Sequence, residues 1–179
     1  RGTVVVDGVE YELLDTTFPT VDRDDPYRLT EDEAAVIEQL CAAFTGSERL
    51  QRHMRFFLDR GSLYKIENGN LMLHACVPLA DDGSLLEVTL FGKTYRGRAL
   101  YDMVDASVRA AFSATDEAER KRGLDMLWYL WLGPGSPLFA KSKMATFELY
   151  LIADKAARKE VKNPFYSLLD DEAVVDGIF

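Results

Sequence analysis

Two short apolar arms, Ser62–Ile66 and Leu71–Leu73, are separated by Asn68-Gly69. That dipeptide is a strong signal for a two-residue hairpin turn, because both residues accept the positive φ a type I′ turn requires. A hairpin is therefore expected over residues 62–76, and its second arm carries His74 out of an apolar strand into a loop containing Pro78. An imidazole at a strand end sits on rigid backbone and can face a cleft, as metal ligands often do. Taken by itself, the same residue also reads as a core histidine with a satisfied hydrogen bond.

The remaining elements alternate in kind. Val4–Val6 and Glu10–Leu14 flank Asp7-Gly8 as a first small hairpin. Thr30 and Glu33 form a capping box for a helix over 31–44, where Ile37, Leu40, Cys41 and Phe44 place Cys41 as a small buried hydrophobe. Leu50, His53, Met54, Phe57 and Leu58 share a face of a second helix over 48–59, so His53 reads as a core or interface histidine. A strand follows near Leu85–Leu90, and Lys93–Arg98 reads as a loop. Leu100, Met103, Val104, Val108, Ala111 and Phe112 then repeat at helical spacing, with Asp102, Asp105 and Arg109 outside. Residues 124–132 carry only Asp125 as a charge, which implies a buried helix with Trp128 and Trp131 as core or interface anchors. Gly133-Pro-Gly-Ser-Pro137 must be a loop, Thr146 caps a helix expected over 146–158, and Asn163-Pro164 opens a further element. No repeat, low-complexity tract or linker divides the chain, so residues 1–179 read as one segment.

Charge and composition exclude several classes of partner. Lys and Arg number 21 against 30 Asp and Glu, and a net charge of −9 disfavours nucleic acid and an anionic membrane surface. No apolar run approaches the roughly 18 residues of a membrane span and no signal-type start is present, so a cytoplasmic protein is expected. Cys41 and Cys76 are too few for a disulfide scaffold. Against the acidic background, residues 88–101 hold Lys93, Arg96 and Arg98 with no acid, and residues 126–147 hold Lys141 and Lys143 with none.

Three blocks carry a resemblance. They are Gly61-Ser-Leu-Tyr-Lys65 through Gly69-Asn-Leu-Met-Leu-His74 to Val88–Leu100, Gly123–Phe139 with Lys143–Glu148, and, less specifically, Leu14-Asp-Thr-Thr-Phe-Pro-Thr20. Together they resemble class III (Firmicutes-type) fructose-1,6-bisphosphatase of the calcineurin-like metallophosphoesterase superfamily. The likeness covers essentially the whole chain and is most specific from about Ser47 to Tyr166. It implies the α/β fold class, α+β within this segment: the central part of a metallophosphoesterase sandwich, with β hairpins and about five helices.

The resemblance also implies the chemistry. His74 matches a strand-end metal ligand of a two-metal centre, with Ala75 where the wider family usually has Gly. The family's Gly-Asp-x-His-Gly, Gly-Asp-x-x-Asp-Arg-Gly, Gly-Asn-His-Glu and His-Thr-Pro segments do not occur here. The chain has no Gly-Asp pair and only two histidines, His53 and His74. The centre, expected to hold manganese, would be completed by residues outside this chain, and both ends read as interior points of a longer enzyme. No catalytic residue is assigned within the segment. Cys76 is expected to be a bystander thiol, since manganese prefers oxygen and imidazole ligands. Lys93, Arg96, Arg98, Lys141 and Lys143 are candidates for binding substrate phosphate, Lys as a point charge and Arg as a fork, with ordinary surface cations as the other reading. The implied reaction is hydrolysis of fructose 1,6-bisphosphate to fructose 6-phosphate and phosphate in gluconeogenesis, with the segment inactive alone. A sugar bisphosphate is the expected partner, nucleic acid and membrane are not, and a homo-oligomer stays open. The other reading is a non-catalytic cap or oligomerisation module.

Overall fold

Asp7-Gly8, Asn68-Gly69 and Phe91-Gly92 take positive φ at both residues, and each closes a tight hairpin. The computed structural model describes residues 2–179; Arg1, with which the segment begins, lies outside them. Strands β1 (Thr3–Val6) and β2 (Val9–Glu12) pair around the first turn, β3 (Tyr64–Glu67) and β4 (Asn70–Leu73) around the second, and β5 (Val88–Leu90) and β6 (Lys93–Tyr95) around the third. Among the described residues these stay three separate two-stranded antiparallel sheets. The third hairpin revises the sequence reading, because Lys93–Tyr95 is a strand and not a loop. Phe91 gives no turn signal of its own, yet it adopts φ 51° beside Gly92, and the Thr89 and Thr94 hydroxyls meet across the pair at 3.1 Å.

The helices are α1 (Glu31–Thr45), α2 (Glu48–Arg60), α3 (Gly97–Ser113), α4 (Glu117–Leu132), α5 (Thr146–Leu151), α6 (Phe165–Leu168) and α7 (Glu172–Ile178). Mixed helices and small antiparallel sheets bear out the expected fold class, with more helices than the five or so anticipated. None of the described helices is long and apolar enough to cross a membrane.

The chain divides into two compact units. Residues 2–61 with 147–155 form the first. There the Leu14 amide donates to the Leu151 carbonyl at 2.9 Å, and Leu13 makes an antiparallel bridge to buried Ile152. This pairing ends α5 at Leu151, well short of the helix expected to reach residue 158. The Thr30–Glu33 capping box forms as read, and backbone and hydroxyl hydrogen bonds from Thr30 hold the Glu33 carboxyl below its usual range. Neither α1 nor α2 has a buried residue, so the expected burial of Cys41 and the core reading of His53 are corrected: each is exposed, which leaves His53 its interface reading. Helical spacing identifies the apolar side of a helix; it does not supply a surface to cover it.

The second unit, residues 62–146 with 156–179, holds the main core. Helices α3 and α4 meet through Leu100, Val104, Met126 and Leu130, with Val88, Leu90 and Tyr95 of the third hairpin packed against them. Only a residue without Cβ fits at Gly123, since one built there would lie 2.2 Å from Ala111 Cβ and 2.9 Å from the Ser107 carbonyl oxygen. The buried helix read over 124–132 is corrected in two respects: α4 starts seven residues earlier, at Glu117, and Leu124, Trp128 and Trp131 are 51%, 60% and 62% exposed. It buries one face, Gly123, Met126 and Leu130, and leaves an apolar face outside. Ordinarily Gly→Ala inside a helix stabilises by about 0.5–1 kcal/mol. Here we expect Gly123→Ala to destabilise by about 1–3 kcal/mol through the overpacked α3–α4 contact, and Ala111→Gly in the same chain to recover part of the loss, as read by urea titration.

Candidate functional site

His74 directly follows β4 and is exposed. Its imidazole makes no hydrogen bond or ion pair among the described residues, which disposes of a histidine satisfied within this core. The backbone beyond it is the most deeply buried run of the chain: Cys76, Val77, Pro78 and Leu79 are each no more than 4% exposed. That run is hydrogen-bonded on several sides. The Tyr101 hydroxyl donates to the Cys76 carbonyl at 2.6 Å, and the Cys76 amide donates to the Pro137 carbonyl at 3.3 Å. The Asn163 side chain accepts from the Leu79 amide at 3.0 Å and donates to the Leu79 carbonyl at 3.2 Å.

Ala75, between the free imidazole and the buried run, has φ 67°. A residue with Cβ pays a conformational cost in that left-handed region, which a glycine avoids. Ala75 thus takes, at a cost, a backbone conformation that a glycine would adopt freely.

The candidate cations fall into two sets. Lys93 opens β6, Arg96 is the N-cap of α3, and Arg98 lies in its first turn. Acids from outside the acid-free stretch reach two of them: Glu87 approaches Arg96 at 3.8 Å, and Asp102 approaches Arg98 at 3.4 Å. All four partners are more than half exposed, so water screens both pairs, and Tyr64 joins the second by donating its hydroxyl to Asp102 at 2.9 Å. Lys93 has no such partner among the described residues. In the second set, Lys141 binds Glu160 at 2.6 Å and Lys143 donates to the Ala157 carbonyl at 3.1 Å. Glu160 also accepts from the Ala145 amide, and these hydrogen bonds, the one from Lys141 foremost, hold its carboxyl below the usual range. These two lysines tie residues 141–145 to 157–162 and so have structural duties already.

As a metal donor His74 fits, being exposed, strand-anchored and without an internal partner. The other donors are missing, because no group of three or more His, Cys, Asp or Glu comes together among the described residues. Cys76 is buried, and burial pushes its thiol up to about 11, which supports a bystander role over a thiolate ligand. An apolar cleft lies alongside, lined by Tyr64, Ile66, Leu73, Val77 and Tyr101, with Arg98 at its side. Sequence reasoning passed over Tyr101 and Asn163. Tyr101 adjoins the apolar stripe of α3, and Asn163 registered only as part of an Asn-Pro boundary.

Comparison with known proteins identifies the family to which the chain belongs. The family described as Firmicute fructose-1,6-bisphosphatase matches residues 1–179. The chain is 48% identical over 180 residues to the fructose-1,6-bisphosphatase class 3 of Clostridium botulinum strain Kyoto and 45% identical over 180 to that of Clostridioides difficile. To the class 3 enzyme of Bacteroides fragilis it is 48% identical over 179 residues. These matches cover 99–100% of this chain, and the chain spans 27% of the length of each relative. No solved structure is significantly similar. The chain belongs to the Firmicute fructose-1,6-bisphosphatase family, whose membership implies a divalent-metal requirement.

The two cysteines differ in reactivity on this account. A disulfide-exchange reagent at neutral pH should label the folded 179-residue chain once, at exposed Cys41, and reach Cys76 only on denaturation. Cys41→Ala should abolish the native-state labelling, which absorbance of the released thiolate reports.

Proposed function

We propose that this chain is the section of a class III fructose-1,6-bisphosphatase that contributes one metal ligand, His74, and part of the substrate's phosphate-binding surface. The observation carrying this reading is the free imidazole of His74 on anchored backbone, in a chain matched over residues 1–179 by the Firmicute fructose-1,6-bisphosphatase family. The metal is a divalent pair, manganese in our reading, held otherwise by residues outside this chain. The whole protein hydrolyses fructose 1,6-bisphosphate to fructose 6-phosphate and phosphate, works in the cytoplasm, and takes a sugar bisphosphate as partner, not nucleic acid or membrane. This section's tasks are to hold an imidazole still and to present positive charge.

For the second task, Lys93, Arg96 and Arg98 are the better candidates. Their charges are free or loosely paired, whereas Lys141 and Lys143 serve the fold first. They suit the phosphate that is not cleaved, where binding energy remote from the reacting bond can support turnover.

Three experiments test this function. The 179-residue chain alone should release no phosphate from fructose 1,6-bisphosphate with manganese present; turnover lost on His74→Ala would overturn the reading of an incomplete site. In the full-length protein, His74→Ala should lower kcat/KM by more than about a hundredfold and cut the metal content found by elemental analysis, while His53→Ala, at an exposed position of α2, should retain both. Arg96→Ala and Arg98→Ala should lower kcat/KM on fructose 1,6-bisphosphate much more than on an aryl phosphate lacking the second phosphate. Equal losses on the two substrates would return these residues to the ordinary surface. The other reading, a non-catalytic cap or oligomerisation module, draws on the exposed Leu124, Trp128 and Trp131 of α4 and requires that His74→Ala leave activity intact.

A further inference from the structure

One side chain brackets His74 through residues on either side of it. Tyr101 of α3 is 3% exposed. Its ring meets Tyr64 edge-on, with centroids 5.5 Å apart and planes at 72°, and Tyr64 stands opposite Leu73, the residue before His74, in the β3–β4 register. Its hydroxyl donates to the carbonyl of Cys76, two residues after His74, at 2.6 Å. Only His74 and Ala75 lie between the two contacts, and Ala75 is in the left-handed conformation that surrounding structure has to enforce.

We propose that Tyr101 is a positioning residue for His74, holding the strand before it through Tyr64 and the loop after it through the Cys76 carbonyl, so that the imidazole keeps one direction. The proposal rests on His74 as a metal ligand. Burial holds the Tyr101 phenol well above its usual range, so it stays protonated and keeps donating. Without the hydroxyl, the buried Cys76 carbonyl would lose this donor, and the His74–Ala75 link could relax toward ordinary backbone angles. A ligand whose direction wanders binds its ion less tightly, as happens when groups that orient metal ligands are removed.

The test is the Mn²⁺ dissociation constant of the full-length protein, read from the electron paramagnetic resonance of free Mn²⁺, alongside thermal melts. Tyr101→Phe keeps the ring and removes only the donor; it should raise the dissociation constant about tenfold to a hundredfold. Tyr64→Leu, which removes the ring contact and the hydroxyl's hydrogen bond to Asp102 at a partly exposed site, should raise it less. Val104→Ala, in the α3–α4 core and away from residues 74–79, should lower the melting temperature and leave the dissociation constant at the wild-type value. Wild-type affinity in Tyr101→Phe, or equal weakening in Val104→Ala, overturns the proposal. His74→Ala separates the two levels of inference: if it binds Mn²⁺ as the wild type does, the ligand reading itself fails and this proposal with it, whereas lost binding there beside unchanged Tyr101→Phe rejects Tyr101 alone.

Discussion

Backbone from Cys76 to Leu79 is buried and hydrogen-bonded to three distant parts of its unit: Tyr101 on α3, Pro137 in the loop after α4, and Asn163 before α6. Polar backbone taken out of water must find partners or cost about 1–3 kcal/mol per group, so these bonds tie the unit together. Loss of any one would leave a buried amide or carbonyl seeking a new partner. The same run fixes where His74 can go, because the histidine lies only two residues from its first buried member.

Anchored backbone and exposed charge are separate features of this section. The imidazole is free because nothing in its own unit competes for it, while the backbone on both sides is restrained. Among the cations, exposure decides. Arg96 meets Glu87 in a solvent-screened pair, Arg98 meets both Tyr64 and an Asp102 that itself accepts from the Tyr64 hydroxyl, and Lys141 is committed to a carboxylate that also takes the Ala145 amide. A sequence window without acids therefore identified both cation sets but could not rank them, since Glu87, Asp102 and Glu160 all come from outside the windows.

Local signals were legible where a few adjacent residues determine the backbone. Asn68-Gly69 and the Thr30–Glu33 capping box appear in the structure as read, and so does the stripe from Leu100 to Phe112 except at its last residue, since Phe112 is exposed. The hairpin at Phe91-Gly92 was missed because its turn relies on pairing of Thr89 with Thr94 more than on a favourable first residue. Readings that needed to know what covers a surface fared worst. Cys41, His53, Trp128 and Trp131 all have apolar or helical surroundings in sequence, and all are exposed. The placement of His74 just past a strand was legible from the Asn68-Gly69 hairpin, whereas the contacts of Tyr101 and Asn163 join residues 25 and 84 apart in the chain.

The central claim, that His74 emerges from the most firmly held backbone of its unit, is open to native-state hydrogen exchange. In the full-length protein the amides of Cys76 and Leu79, which donate to Pro137 and to the Asn163 side chain, should exchange as slowly as that of Val104 in the α3–α4 core, opening only when the unit unfolds. Exchange of Cys76 and Leu79 as fast as that of an exposed turn amide such as Gly8 would show that the segment opens locally, and would contradict the account of how this chain holds its imidazole.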